Sequence, residues 1–476
     1  MKLEAVIGLE IHVQISTKTK MFCGCNNDSF EAAPNVNTCQ VCMGYPGQLP
    51  VLNSLAVKKG VTAALALNCK INNISKFDRK NYFYPDNPKG FQISQYDEPL
   101  AEHGSLEIDV EGEKKEIKIT RLHLEDDAGK LTHTTTGSLL DFNRAGTPLM
   151  EIVSEPDIRS AKEASAYAKT VQQIMRYVGS SEADMEKGML RFDASVSLRP
   201  VGDDKLYPRT EIKNLNSFRF LEAAIDYEIK RQTAMWEENK IPDSQATVGF
   251  DPEKGKTYFL REKEGSADYR YFPEPDIPPV EVTENQINEY QKAIPTLPQE
   301  RKKNYIEELK IDEDDARILS ENLKLAQYFE EVVAISNSPQ KSSAIIKTVL
   351  LKHLNEEFIE VDQQKITSKM LGELMKMVEE GAVSYNLAKG EIFNEMYETG
   401  KTAETIIEEK GLKQVDNKEE LEAICQEVID KNPDPVNDVK AGKEKAIGFL
   451  VGQVMKLTQG KANPEIVNEI LKNMIK

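Results

Sequence analysis

The chain has 476 residues, 39% hydrophobic and 29% charged, with a formal net charge of −18 at pH 7. That length accommodates about three domains with real cores. The acidity excludes general, non-specific nucleic-acid binding, which depends on Lys and Arg neutralising phosphates, and no run reaches the roughly 18–20 apolar residues of a membrane span.

In chain order, VIGLEIHVQI (6–15) alternates without a fault. Ile7, Leu9, Ile11, Val13 and Ile15 share one face of a strand, and Glu10, His12 and Gln14 share the other. The residues before it show no apolar leader and no Arg/Ser-rich presequence, so a cytoplasmic location is expected. CGCNNDSFEAAPNVNTCQVC then sets Cys23, Cys25, Cys39 and Cys42 as two close pairs across a polar loop. Four thiolates so placed suit a closed, structural Zn²⁺ shell, against the alternative of unrelated reduced cysteines. Cys69 and Cys425 read as core residues.

A helix is expected over 52–67, followed by the loop SKFDRKNYFYPDNPKGFQISQYD (75–97), which mixes Lys76, Arg79, Lys80 and Lys89 with aromatics. The strand 115–125 ends in RLHLE, with Arg121, His123 and Glu125 on one face. Asn143, Arg144, Gly146 and Thr147 precede Glu151 in LLDFNRAGTPLMEIVSEPD. Ser160 reads as the N-cap of a helix over 160–178, with Glu163 completing a capping box. The strand 189–199 aims Arg191, Asp193, Ser195 and Ser197 off one face, and 208–215 pairs Glu211 with Lys213. A helix follows over 220–239.

Pro273, Pro275, Pro278 and Pro279 in YFPEPDIPPV mark a boundary soon after. The expectation is an α+β chain: a mixed or antiparallel sheet with flanking helices over 1–291, an all-α helical domain over 292–405, and a small all-α tail of about three helices over 406–476. Gly448 and Gly452, one turn apart, suggest close approach of another backbone. The tail holds seven Lys against four acidic residues over 436–476.

A sheet face gathering Glu, His, Asp, Arg and Lys reads as a cation-and-phosphate surface: carboxylates and imidazole for Mg²⁺ or Mn²⁺, basic groups for phosphate. An ordinary solvated polar face is the alternative. The sequence holds no Walker loop, no Gly-x-Gly-x-x-Gly and no Gly-x-Ser-x-Gly elbow.

Together VIGLEIHVQ, the 75–97 loop, HLEDDAGK, FNRAGTPLMEIVSEPDIRS, LRFDASVSLRP, TEIKNLNSF and DYRYFPEPDIPP resemble the family of aspartyl/glutamyl-tRNA(Asn/Gln) amidotransferase B subunits. The resemblance runs from Val6 to the C-terminus. It implies a "cradle" kinase domain that uses ATP to phosphorylate the side-chain carboxylate of Glu-tRNA(Gln) or Asp-tRNA(Asn), after which ammonia displaces phosphate. By motif matching it implies Glu10, His12, Glu125 and Glu151 as Mg²⁺ ligands, with Asp193 close by. Arg191, Lys213, Asn143, Arg144, Arg79 and Lys80 become the expected contacts to the nucleotide phosphates and the carboxylate. It further implies a heterotrimer with two partners. One is an amidase, which supplies ammonia through a tunnel passing near Lys89; the other is a small third chain that clasps the two. The helical and tail regions would bind tRNA; no membrane is involved. The competing reading is a non-catalytic tRNA-binding scaffold, which has no need for those ligands to meet.

Overall fold

The computed structural model describes residues 2–263, 268–412, 418–440, 443, 445–458 and 462–475. The chain divides into two compact units, Met1–Leu297 and Pro298–Lys476.

The alternating segment becomes β1 (Leu3–Gln14), in the middle of a nine-stranded sheet. Leu190–Pro200 pairs with it on one side and Pro148–Ser154 on the other, both antiparallel. Thr210–Leu215, Gln245–Asp251 and Lys256–Lys263 continue one edge; Glu113–Asp126, Ala101–Val110 and Lys70–Ile71 continue the other. Thr210–Leu215 and Gln245–Asp251 run parallel, so the sheet is mixed and mainly antiparallel, within an α+β architecture.

Ile7, Leu9, Ile11 and Val13 are at most 1% exposed. They share a core with residues of α1 (Ser54–Ala66), α2 (Ala161–Tyr177) and α3 (Phe218–Glu237), among them Ala64, Tyr167, Val171 and Ile225. Burying each large aliphatic side chain contributes roughly 1.5–3 kcal/mol. A slip of one residue would turn all of them outward, so the apolar pattern sets the register. That register places Glu10 opposite Asp193 and Val153, and His12 opposite Arg191 and Glu151.

Ser160 caps α2 as expected, accepting from the Glu163 N–H at 3.2 Å. The other half of the capping box is displaced: the Glu163 carboxylate accepts from the Arg159 N–H at 2.8 Å, with Lys115 at 2.6 Å holding it toward the sheet. Gly104 lies where its strand passes the end of α1; a Cβ there would sit 2.4 Å from Cys69 Sγ and 2.7 Å from the Leu67 carbonyl oxygen. Gly104→Ala is therefore expected to lose about 1–3 kcal/mol, seen as a lower urea midpoint at unchanged slope. An unshifted midpoint would show that the strand has room to move.

α4 (Glu284–Ala293) starts at a Thr283–Gln286 capping box, and its Ile287 and Tyr290 pack on the sheet's core. In the second unit, one apolar cluster runs from Tyr305 to Leu412 and another from Leu421 to Ile475. The helix Ala403–Lys410 buries Ala403, Ile406 and Ile407 in the earlier cluster, so a tail starting at 406 would cut through that helix. The later cluster draws on four helices, Lys418–Lys431, Pro433–Lys440, Lys445–Leu457 and Pro464–Ile475, where about three were expected. Pro433, which lacks an N–H to continue the preceding helix, separates the first two. Nothing among the described residues lies within 4 Å of a Cβ placed on Gly448 or Gly452, so the expected close approach does not occur there. Of the tail lysines, Lys461 and Lys476 lie outside the described residues. No described helix is long and apolar enough to cross a membrane.

Candidate active site

Strand order brings side chains from three strands together on the face of β1 opposite the core. Glu151 pairs in register with His12 on one side and His123 on the other. His12 Nε2 lies 3.3 Å from Glu151 and 4.0 Å from Glu125; His123 Nε2 lies 3.5 Å and 3.7 Å from the same two carboxylates. The ligating atoms of His12, Glu125 and Glu151 all fall within 4.8 Å of one another. One imidazole nitrogen and two carboxylates at that spacing fit a hard divalent cation.

The electrostatics agree with that donor set. Burial works to raise Glu151, yet His123 and His12 outweigh it and hold its carboxyl well below the usual range. Glu125 is lowered in the same way, with His123 opposing the effect of burial, and accepts from the Ser94 hydroxyl at 3.1 Å. Burial disfavours a charged His123, but the two carboxylates lift it to about 9. Its Nδ1 is buried without a hydrogen-bond partner.

Glu10, two residues from His12 on β1, joins a neighbouring group with Asp193 and Glu211. Lys213 Nζ sits among them, 2.7 Å from Asp193, 3.9 Å from Glu10 and in contact with Glu211. Asp193 also accepts from the Asn214 N–H at 2.8 Å, at an irregularity in the strand pairing. Burial raises Glu10, and the nearby Glu151 raises it further. The four expected metal ligands thus divide: three meet in one group, and Glu10 stands with Asp193 in the next.

Beyond His12, Asp127 gathers Arg191 at 3.1 Å, Arg144 at 3.6 Å and Gln14 at 3.2 Å. Burial pushes Asp127 up, but the two guanidinium groups hold it low. Lys80 enters the same face: burial opposes its charge, and Glu125 leads the groups that raise its pKa. Its ammonium lies 5.2 Å from the Tyr269 ring, within an aromatic wall in which Tyr82 and Tyr271 each stand about 6 Å from Tyr269 and Tyr96 stacks on Tyr271 at 4.3 Å. The sequence pattern set His123 beside Glu125 on one strand face without naming it among the ligands, and it did not single out these tyrosines as site residues. The dense aromatic-and-cation stretches KNYFY and DYRYF were the available signal.

Two expected phosphate contacts are committed elsewhere. Asn143 is fully buried; it accepts from the Asn37 N–H at 2.8 Å and donates to the Ala33 carbonyl at 2.7 Å, fastening the cysteine-bearing loop. Arg79 makes a two-pronged pair with Glu274, at 2.7 and 2.8 Å, and reaches Asp276 at 3.5 Å. The Glu274 side chain is only 1% exposed, so Arg79→Met would strand a buried carboxylate. The expected loss is about 3 kcal/mol on denaturation, largely restored by adding Glu274→Leu. A stable single variant would contradict this.

The four cysteine sulfurs also lie within 4.8 Å of one another. Lys20, fully buried, places its ammonium 3.7 Å from Cys42 Sγ, and the Cys39 N–H donates to the same sulfur at 3.2 Å. Contact with Cys23 first, then the Cys39 N–H and Lys20, draw Cys42 down to about 4, while burial pushes Cys25 up to about 11. The group can hold a metal ion, and four sulfurs leave no open position for a substrate.

Residues 5–288, which include every group above, match the family model described as the GatB/GatE catalytic domain; residues 327–475 match the one described as the GatB domain. The first unit therefore carries a catalytic domain of that class. The chain is 50% identical to the aspartyl/glutamyl-tRNA(Asn/Gln) amidotransferase B subunit of Persephonella marina, and 50% to that of Thermodesulfovibrio yellowstonii, over the full length of both chains in each case. It is 47% identical to the B subunit of Thermotoga maritima, over 100% of this chain and 99% of that one. The chain belongs to the family of aspartyl/glutamyl-tRNA(Asn/Gln) amidotransferase B subunits.

Proposed function

We propose that this chain is the B subunit of a heterotrimeric tRNA-dependent amidotransferase, a carbon–nitrogen ligase with glutamine as amide donor. A side-chain carboxylate oxygen of Glu-tRNA(Gln) or Asp-tRNA(Asn) attacks the γ-phosphorus of ATP, and ADP leaves. Ammonia then attacks the acyl carbon, phosphate leaves, and Gln-tRNA(Gln) or Asn-tRNA(Asn) results. The observation that carries this reading is the meeting of His12, Glu125 and Glu151, from three strands, beside a second acidic group and two arginines.

Mg²⁺ held by His12, Glu125 and Glu151, with Glu10 and Asp193 next to it, would neutralise charge on the phosphoryl oxygens during transfer. Lys213, Lys80 and Arg191 supply fixed positive charge on the same face, which suits a reaction that consists mainly of positioning and charge stabilisation. The tyrosine wall offers ring faces on which unpaired bases of the tRNA acceptor end can stack. Lys89 and Asp126 pair at the edge of a hollow of about 450 Å³ lined also by Phe22, Tyr45 and Phe91, a sheltered route for ammonia.

The sequence offers no evident glutaminase nucleophile, so ammonia is taken to come from the partner amidase, with the small third chain of the heterotrimer joining the two. Zn²⁺ on the cysteine quartet serves as structural support. The tail lysines hold the tRNA body, and the work is done in the cytoplasm with the rest of translation. Co-purifying the three chains and assaying amidation of each misacylated tRNA, with and without ATP, tests this. Strictly ATP-dependent amidation is expected; ATP-independent product, or none from the assembled complex, would overturn it.

A further inference from the structure

Three cations on the polar face of the sheet are answered by carboxylates of the protein itself. Arg191 and Arg144 share Asp127, and Lys213 sits among Glu10, Asp193 and Glu211. Arg121 is not answered in this way. It lies on the strand Glu113–Asp126, two residues before His123, so the pleat puts both side chains on one face. Among the described residues it forms no ion pair and no side-chain hydrogen bond, and its Nε is buried without a partner. Glu102, opposite it in register on one side, accepts from Asn72 at 3.1 Å instead. Val153, its register partner on the other side, has no charge to offer. A guanidinium partly withdrawn from water with no acceptor is costly. The acceptor that offsets this cost comes from outside the chain.

The surroundings of Arg121 say which anion that is. Arg121, His123 and Glu125 are successive positions on one face, each about 7 Å beyond the last. Beside their strand runs the segment that follows Phe91–Ser94. Ser94 donates to Glu125 at 3.1 Å, Gln95 Oε1 accepts from the Leu124 N–H at 3.0 Å, and Ala101 pairs with Leu122. The segment thus travels from Glu125 toward Arg121, and it carries Tyr96, exposed and stacked on Tyr271 at 4.3 Å. Lys213 belongs to Thr210–Leu215, on the other side of β1. The unanswered guanidinium and the exposed ring stack therefore share one side of the His12 group.

An anion that arrives together with flat rings fits that side. In a single-stranded nucleic acid each base that stacks on a tyrosine is joined to the next by a phosphodiester. A guanidinium meets two phosphate oxygens at once in its planar fork. The γ-phosphate of ATP belongs at the His12 group, about 7 Å short of Arg121. The aminoacyl end has to reach the same point, and the rings beside Arg121 mark its approach.

We propose that Arg121 binds a phosphodiester of the single-stranded acceptor end of the tRNA, whose bases stack on Tyr96 and Tyr271. The inference rests on the tRNA-dependent reading above.

The test uses the assembled complex carrying Arg121→Gln and two probes: uncharged tRNA(Gln), whole or lacking its single-stranded 3′ nucleotides. Binding is measured without ATP over a range of salt concentrations. Arg121→Gln is expected to weaken binding of the whole tRNA about tenfold and to lower its log–log salt slope by about 0.7. The shortened tRNA should bind parent and variant equally, because the contact is already gone. Arg121→Lys keeps the charge without the fork, so it should keep the salt slope and lose only part of the affinity. It also serves if Arg121→Gln fails to assemble. The KM for ATP at saturating aminoacyl-tRNA should stay at the parent value. A raised ATP KM with unchanged tRNA binding would overturn the proposal and give Arg121 to the nucleotide. Equal losses for whole and shortened tRNA would reduce Arg121 to a structural residue. If the parent amidates only with ATP while both variants bind whole tRNA as the parent does, this inference alone falls. A parent complex that binds neither tRNA would remove the reading beneath it as well.

Discussion

Glu125→Gln, assembled with its partner chains, is expected to lose tRNA-dependent ATP cleavage and amidation by roughly a thousandfold. The substitution keeps the shape of the side chain and can keep the 3.1 Å contact with Ser94, but it removes one of the two negative charges facing His12. A neutral amide is a poor ligand for a hard cation beside a triphosphate. The fold should survive, because Glu151 remains as counter-charge to His12 and His123. His12→Ala removes the nitrogen donor instead and is expected to give the same defect. Glutaminase activity in the partner should persist in both, which separates a lost kinase centre from a failed assembly. Full amidation by either variant would mean that the His12 group is not where phosphoryl transfer occurs.

The second large effect concerns the cysteine quartet. One Zn²⁺ per chain is expected on purification, and its removal by chelation or by Cys42→Ser should cost about 5 kcal/mol or more. The reason is that the loop has no regular element of its own and is held by scattered hydrogen bonds and by Met21 and Phe22 in the core. Between Gln14 and Ser54 the chain forms no named strand or helix. It is fastened by the Met21 N–H on the Gly146 carbonyl at 2.8 Å, by Asn143, and by the buried Lys20 beside Cys42. Without a metal ion, the Cys42 sulfur beside the buried Lys20 is no longer held in place. Metal analysis and thermal denaturation with and without chelator check this. Stability indifferent to metal would reduce the quartet to four reduced thiols.

Much of this molecule was legible in its sequence, for reasons particular residues make plain. The unbroken alternation of Ile7, Leu9, Ile11 and Val13 told which face of β1 is buried, and so which side chains are free for chemistry. Two thiol pairs pointed to a group that could hold a metal ion, and the four sulfurs do come together. Arg79 and Lys80 show where such reading stops. They are adjacent on the short strand Asp78–Asn81, so their side chains take opposite sides. Arg79 turns to Glu274 while Lys80 faces Glu125, and composition cannot tell which basic residue serves the site.

By itself, then, the sequence determined the secondary elements, the buried face and the supply of polar groups, because these follow from local periodicity and the free energy of removing apolar surface from water. Only the tertiary structure decided which of those groups meet. Glu10 and His12 are near neighbours in the chain yet serve different clusters, since the pleat sets them about 7 Å apart. His12, Glu125 and Glu151, far apart in the chain, converge because strand order and register lay their strands side by side. Pairing between distant strands is a property of the whole sheet, and no window of sequence contains it.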